Sequence, residues 1–299
     1  MSTDRTERDE HRHEPGTELW WAESWSFDFA AGDGSLGGWA RFTLVPNQHH
    51  ARYEAFLTGP DRQLVAVTDG DIPMPGSGLE IRTEGLWAMH ICETAFDHWT
   101  IGLEAFAVGL DDPAEMYGRQ FGDQVPLGFD LEWEAEQSAD DVSRARTAGY
   151  QQACKVTGEV LVGSEEIDLD GTGFRDHRWG VAPDWDARWL EVRGRLDGGP
   201  WFSAMVIDGD INTARGTLDG RAVPVGHASQ SIESPGLLTG AHVRLGGVEL
   251  GFDPVGGTPL ELTDPEGRRT RNARALCRVT AADGRSGHAW VNWNEPQID

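Results

Sequence analysis

The chain reads as all-β, with antiparallel strands closing into two barrels or strongly curved sheets. Three observations predict this. Apolar and aromatic runs recur at short intervals, turn pairs rich in Asp-Gly separate them, and no long amphipathic helical stretch interrupts the rhythm. Asp-Gly between apolar runs supplies the positive φ values that tight hairpins demand, and antiparallel strands roll up to remove their exposed edges.

Residues 1–15 are charged throughout and are expected to form a disordered tail, since such sequence buries too little to offset chain entropy. Ordered structure is expected from the aromatic stretch Glu18 to Phe29. Strands are then predicted over residues 38–45, 51–57, 63–68, 79–83, 87–93, 99–108 and 129–134. In the last of these Phe129, Leu131 and Trp133 alternate with Asp130, Glu132 and Glu134, the pattern of a strand with one wet face.

Residues 135–148 carry few large apolar groups and sit near the midpoint of the chain. They read as a linker with a helical turn, dividing a first domain (16–134) from a second (149–299). In the second half, strands are predicted over 158–163, 188–196, 201–207, 211–215, 241–245, 260–262, 274–280 and 288–293. Turns are predicted at Asp170-Gly171, Asp197-Gly198, Asp208-Gly209, Asp219-Gly220 and Asp283-Gly284, matching Asp33-Gly34 and Asp69-Gly70 in the first half.

Composition removes several function classes. The net charge is −25, so nucleic-acid backbones and anionic lipid surfaces would be repelled. Lys155 is the only lysine, which argues against Schiff-base chemistry, and the other cations are arginine forks. Three separated cysteines (Cys92, Cys154 and Cys277) give neither a disulfide framework nor a Cys-x-x-Cys pair. The N-terminus lacks the apolar core of a signal peptide, and nothing approaches a membrane span, so a cytoplasmic protein is expected. No phosphate loop, dinucleotide fingerprint or nucleophile elbow occurs. His11 and His13 alternate like a metal clip but lack an evident third ligand, and no metal or other cofactor is expected. His90 and Glu93 have opposite strand parity and are not expected to share an ion.

The densest cluster of reactive side chains is Gly171-Thr-Gly-Phe-Arg-Asp-His-Arg-Trp-Gly180. Two readings of it stay open. In one, Asp176 accepts from Arg175 or Arg178 and from turn amides, His177 is a satisfied half-buried histidine, and Trp179 closes a barrel end. In the other, Asp176 and His177 form an acid-base pair in an apolar cavity walled by some of the thirteen tryptophans. Desolvation would keep Asp176 protonated, and Trp179, Trp185 or Trp201 would face a developing cation. Adjacent strand positions point oppositely, so this pair requires an irregular segment. Glu104 is a further candidate, either as an inward carboxylate or on an exposed sheet face, and His288, Trp290, Asn292 and Asn294 share a face that offers polar anchors or simply meets solvent.

The decamer, together with Tyr150-Gln-Gln, Lys155-Val-Thr-Gly-Glu-Val160, Asp184-Trp185, Val125 to Glu134 and Gly287 to Glu295, resembles a bacterial family of two-part proteins. That family is related to the lipocalin-like carotenoid 1,2-hydratase (hydroxyneurosporene synthase) and AttH superfamily. The resemblance implies tandem lipocalin-like β domains. It also implies cofactor-free chemistry on apolar molecules, such as water addition to isoprenoid alkenes, hydration of a prenylated isoflavonoid or pericyclic cyclisation. Arg178 stands where the family pattern favours a small polar residue such as serine, which bears on cavity polarity and substrate.

The expected function is therefore a cofactor-independent hydratase or dehydratase, isomerase or cyclase acting on a terpenoid- or steroid-like molecule. Asp176 and His177 would be catalytic, and Arg175, Arg178, Trp179, Trp185, Trp201 and Glu104 would contact substrate. The alternative is a carrier that holds such a ligand unchanged. The expected partner is the apolar small molecule, and a homodimer is carried as an expectation.

Overall fold

A computed structural model describes residues 5–118, 120–144, 146–181, 187–263 and 267–297. The fold is all-β, with two large antiparallel sheets, one ring-like and one a half-barrel. In the first, the strands Leu64–Pro73, His50–Thr58, Gly37–Val45, Trp21–Ala31, Glu165–Val181, Thr147–Val162, Asp123–Ala135 and His98–Leu110 pair in that order. Pairing of Leu64 with Leu110 closes the ring. Leu86–Thr94 and Leu79–Thr83 continue outward from His98–Leu110.

Alternation decides what fills the ring. On Trp21–Ala31, Trp25, Phe27, Phe29 and Ala31 face inward and pack with Phe42, Tyr53, Trp99, Leu131 and Trp133 into one continuous core. Many of the thirteen indoles fill the cores: Trp25, Trp39, Trp99, Trp133, Trp290 and Trp293 are each buried to within 2% exposure. Close packing of this kind leaves few voids larger than a water molecule.

The second sheet runs Arg221–Ala222, Asp210–Leu218, Trp201–Ile207, Trp189–Leu196, Ser286–Gln297, Arg269–Ala281, Val248–Thr258, Leu237–Leu245 and Val225–Glu233. Leu190, Val192 and Leu196 point into its own core with Phe202, Val243, Phe252 and Trp293. Its opposite face lies on the outer wall of the ring. Trp39, Phe56 and Leu110 from the ring meet Leu276 and Trp290 there, and the Trp290 indole N–H donates to the Phe29 carbonyl at 3.0 Å.

Three expectations are corrected. The strands Thr147–Val162 and Glu165–Val181 belong to the first sheet, so the change of sheet falls between Val181 and Trp189 instead of at residues 135–148. That segment carries no helical turn among its described residues, and Asp140–Asp141 pairs with Tyr150 and Gln151. Asp170-Gly171 and Asp69-Gly70 lie within strands rather than at turns. At Asp208-Gly209 and Asp219-Gly220 both residues have positive φ, as a tight hairpin requires. Finally, residues 5–15 are not a free tail. Their charges find buried partners, and Glu10 is 1% exposed. No helix among the described residues is long and apolar enough to cross a membrane.

Candidate functional site

The decamer lies within Glu165–Val181, between Trp21–Ala31 and Thr147–Val162. Its glycines permit unusually close strand contact: a Cβ at Gly173 would sit 1.9 Å from the Asp28 carbonyl oxygen. The register pairs Phe27 with Arg175 and Ala30 with Thr172, and between them the Phe174 amide donates to Asp28 Oδ1 at 2.8 Å. Side chains otherwise alternate. Arg175, His177 and Trp179 share the side of Trp25 and Phe27, whereas Phe174, Asp176 and Arg178 face the second sheet. Asp176 and His177 therefore do not share a site, because the strand is regular where the acid-base pair needed it to be irregular.

On the inner side, Glu10 is the anchor of the N-terminal segment. Its carboxylate accepts from both Arg175 Nη1 (2.9 Å) and Nη2 (2.7 Å), from Tyr150 Oη (2.6 Å), from Trp99 Nε1 (3.1 Å) and from the Phe96 amide (2.6 Å). Burial alone would raise the Glu10 carboxyl, but Arg175 and the hydroxyl of Tyr150 more than offset it and hold it low. Arg175 also donates to Gln152, so both terminal nitrogens of this guanidinium are engaged in holding the segment down.

Next to it, His177 is completely buried and stacks on Trp25 at 4.3 Å between ring centroids. Its Nδ1 lies 2.8 Å from the Asp9 carbonyl, and its Nε2 lies 2.9 Å from Glu23 Oε1. Glu23 Oε1 also meets His13 Nδ1 at 2.7 Å. His13 in turn stacks on Trp179 at 3.8 Å. Burial depresses the His177 imidazole despite Glu23, while the two histidines hold Glu23 low against its own burial. His13, Glu23 and His177 are the group whose donor atoms, all within 4.8 Å of one another, have metal-ligand character.

The outer side faces Trp189–Leu196, whose Glu191 and Arg193 alternate with the core residues Leu190 and Val192. Arg193, with its side chain fully buried, bridges Asp28 Oδ2 at 2.5 Å and Asp176 Oδ2 at 2.7 Å. Arg178 reaches Asp176 Oδ1 at 3.3 Å and Glu191 Oε1 at 3.0 Å, and Asn292 Nδ2 donates to Glu191 at 2.9 Å. Arg274 lies over the Trp39 ring at 4.2 Å and donates to Ser26 Oγ at 3.1 Å. Burial alone would raise the Asp176 carboxyl, but Arg178 and Arg193 together pull it below the usual carboxylate range. The expectation of a protonated Asp176 is corrected by those two guanidinium groups. Glu191 is likewise brought down to about 2 against its burial by Arg178 and Arg193. Asp28 goes the other way. Complete burial raises its carboxyl and outweighs the attraction of Arg193 and Arg274.

Asp28 also borders a hollow between the sheets of about 10 Å³, room for about one water molecule. Arg193, Phe174, Trp201, His288 and Trp290 share its lining, and Asp176 does not. Trp201 thus meets the hollow edge-on to Phe174, with its indole N–H on Glu136 at 3.1 Å. Glu104 is exposed on the same outer strand face as Phe106 (61% exposed), so it is no inward carboxylate. Trp185 lies outside the described residues. The face shared by His288, Trp290, Asn292 and Asn294 is covered by the first sheet rather than by solvent. Sequence reasoning missed Asp28, Glu10 and Glu23. The signal for Asp28 was its place in Trp25-Ser26-Phe27-Asp28-Phe29, a polar face alternating with large aromatics.

A family model described as a domain of unknown function, DUF7064, matches residues 6–297. The chain belongs to the DUF7064 family. No curated protein matches it. Among solved structures, an AttH candidate from Nitrosomonas europaea is similar over 92% of each chain at 15% identity and a TM-score of 0.59. Kievitone hydratase from Nectria haematococca matches over 91% of this chain and 88% of its own, at 11% identity and a TM-score of 0.59. CghA matches over 94% and 89%, at 12% identity and a TM-score of 0.57. The DUF7064 chain therefore shares the fold of these three proteins.

Proposed function

We propose that this DUF7064 protein is a cofactor-independent acid-base enzyme, a hydratase or dehydratase, isomerase or cyclase, working on a terpenoid- or steroid-like molecule in the seam between the two sheets. The observation that carries the reading is Asp28, a fully buried carboxyl raised by its burial, at the edge of an aromatic-lined hollow. A carboxyl whose burial favours its protonated form is suited to general-acid work. Asp28 delivers its proton to an alkene carbon, the cation is met by the indole faces of Trp201 and Trp290, and Arg193 stabilises the carboxylate left behind. Water attack followed by proton return to Asp28 gives hydration, whereas proton loss from a neighbouring carbon gives isomerisation. The hollow holds about one water, so the proposal requires the seam to open for a larger guest. The likeness of the fold to kievitone hydratase supports this class of chemistry.

The test incubates the protein with prenylated aromatic alkenes in D2O and follows solvent-derived deuterium and oxygen in the products by NMR and mass spectrometry. Wild type and Asp176→Asn, each checked for folding by near-ultraviolet circular dichroism, are expected to turn over, and Asp28→Asn is expected to lose at least a hundredfold. Equal turnover by folded Asp28→Asn removes Asp28 as the acid. Saturable binding by wild type with no product from any alkene favours the carrier function instead.

A further inference from the structure

We propose that His13, Glu23 and His177 form a binding site for one divalent transition-metal ion of the zinc class, which fastens the N-terminal segment across the ring. The site is separate from the inter-sheet seam, on the opposite side of the Glu165–Val181 strand.

The three side chains come from three separate segments, yet Glu23 Oε1 lies 2.7 Å from His13 Nδ1 and 2.9 Å from His177 Nε2. Two imidazoles and one carboxylate are a donor set suited to zinc and its neighbours, and too rich in nitrogen for calcium or magnesium. The surrounding hydrogen bonds point the same way. A carbonyl oxygen only accepts, so His177 Nδ1, 2.8 Å from the Asp9 carbonyl, carries its ring hydrogen. That leaves Nε2 aimed at Glu23 Oε1 at 2.9 Å, a contact that either an imidazolium proton or a bound metal ion satisfies. His13 Nδ1 also faces Glu23, and its Nε2 lies 3.5 Å from Asp9 Oδ1. His177 is thus backed by an acceptor on its other nitrogen, as metal-bound histidines almost always are, while His13 Nε2 is near the Asp9 carboxylate without a hydrogen bond to it.

The carbonyl and the carboxylate both belong to Asp9. The short helical turn Glu7–Glu10 fixes that residue, with the Thr6 amide donating to its carboxylate at 2.8 Å. An apolar sleeve completes the site, since Trp25 stacks on His177 and Trp179 on His13. Metal–ligand bonds of about 2.0–2.1 Å in tetrahedral geometry place donors roughly 3.3 Å apart. On binding the Glu23 oxygen therefore moves away from each ring by roughly half an ångström, with the partly exposed His13 and the Glu23 side chain both adjusting. His11, exposed, takes no part.

The experiment uses the untagged full chain, stripped with a chelator and titrated with Zn2+ by calorimetry and with Co2+ by visible absorption. We expect one ion per chain, Co2+ bands of four- or five-coordinate intensity, and a melting temperature that rises with metal. His13→Ala, which removes a ligand from the surface side, should weaken binding at least a hundredfold, and Glu23→Gln, which keeps an acceptor oxygen, at least tenfold. A His49→Ala/His50→Ala control should bind as wild type does. The proposal is overturned if wild type takes up no ion at a defined stoichiometry, or if His13→Ala and Glu23→Gln bind with its affinity. Should Glu23→Gln fail to fold, His13→Ala alone decides the matter.

Discussion

Replacing Arg193 by methionine is expected to damage the seam between the sheets more than any surface charge change, and in a pH-dependent way. Its side chain is fully buried and is shared by two carboxylates, at 2.5 and 2.7 Å, that are themselves almost fully covered. Removing one partner of a buried pair costs about 3–5 kcal/mol, because the other charge stays behind uncompensated. At roughly 2–4 °C per kcal/mol for a chain of this size, the melting temperature should fall by about 10 °C. Without Arg193, Asp28 loses the foremost charge opposing its burial and rises further above its ordinary value of 3.8, while Asp176 keeps Arg178 but loses its second cation. The folded variant then holds protons that the unfolded chain releases, so its deficit relative to wild type grows with pH above that value and shrinks as pH falls. Thermal unfolding followed by tryptophan circular dichroism at pH 7 and pH 5 measures both effects. Arg285→Met serves as control, since its partner Asp283 lies in solvent. The reasoning is refuted if Arg193→Met melts with the control, or if its deficit is as large at pH 5 as at pH 7.

Two further outcomes follow from the same contacts. Glu191 is held at about 2, well below its ordinary 4.5, so it contributes stability above pH 4.5 that is lost as pH falls through that window. The contribution is at most about 3 kcal/mol, and acid titration of Glu191→Gln should show a correspondingly flatter profile than wild type between pH 4.5 and 2. Glu10→Ala strips five donors of their acceptor and leaves Arg175 buried without its carboxylate. It should cost about 3–5 kcal/mol and redden the emission of Trp99, read by denaturant titration and fluorescence.

The fold was legible in the sequence wherever a local rule decides it. Phe129, Leu131 and Trp133 do face the core while Asp130, Glu132 and Glu134 face outward, and Asp208-Gly209 and Asp219-Gly220 do turn the chain. The sheet boundary was not legible, because strand pairing is non-local. Nothing in Tyr150-Gln-Gln or the decamer states that these strands join Trp21–Ala31 and not their neighbours downstream. The charged tail misled for a related reason. Composition predicts disorder, yet Glu10 is placed by Arg175 far along the chain and His13 by Glu23 and by the ring of Trp179. At the site, strand parity correctly stated the condition under which Asp176 and His177 could meet, and the regular strand fails it. Parity could not say that the polar face of Trp189–Leu196 is roofed by another sheet, nor that Asp28 lies beneath it.

That roof explains why burial raises the carboxyl of Asp28 and not that of Asp176. The seam gathers three carboxylates (Asp28, Asp176, Glu191) and three guanidinium groups (Arg178, Arg193, Arg274), so full ionisation leaves it neutral overall. The cations are unevenly spread. Asp176 touches Arg178 and Arg193, and Glu191 has Arg178 with an amide from Asn292, whereas Asp28 must share Arg193 with Asp176. Arg274 lies close enough to act on Asp28 electrostatically, but it is spent on the Trp39 ring and Ser26, and burial together with Arg193 and Arg41 lowers it to about 9. Its guanidinium nevertheless stays charged at neutral pH, so it cannot relieve the seam by giving up a proton. Asp28 is the one carboxylate of the three that burial defeats, and it alone of them borders the hollow. In the proposed function, a guest filling that hollow deepens the desolvation and raises Asp28 further. The same guest leaves Asp176 and Glu191 ionised, since their partners lie away from the opening.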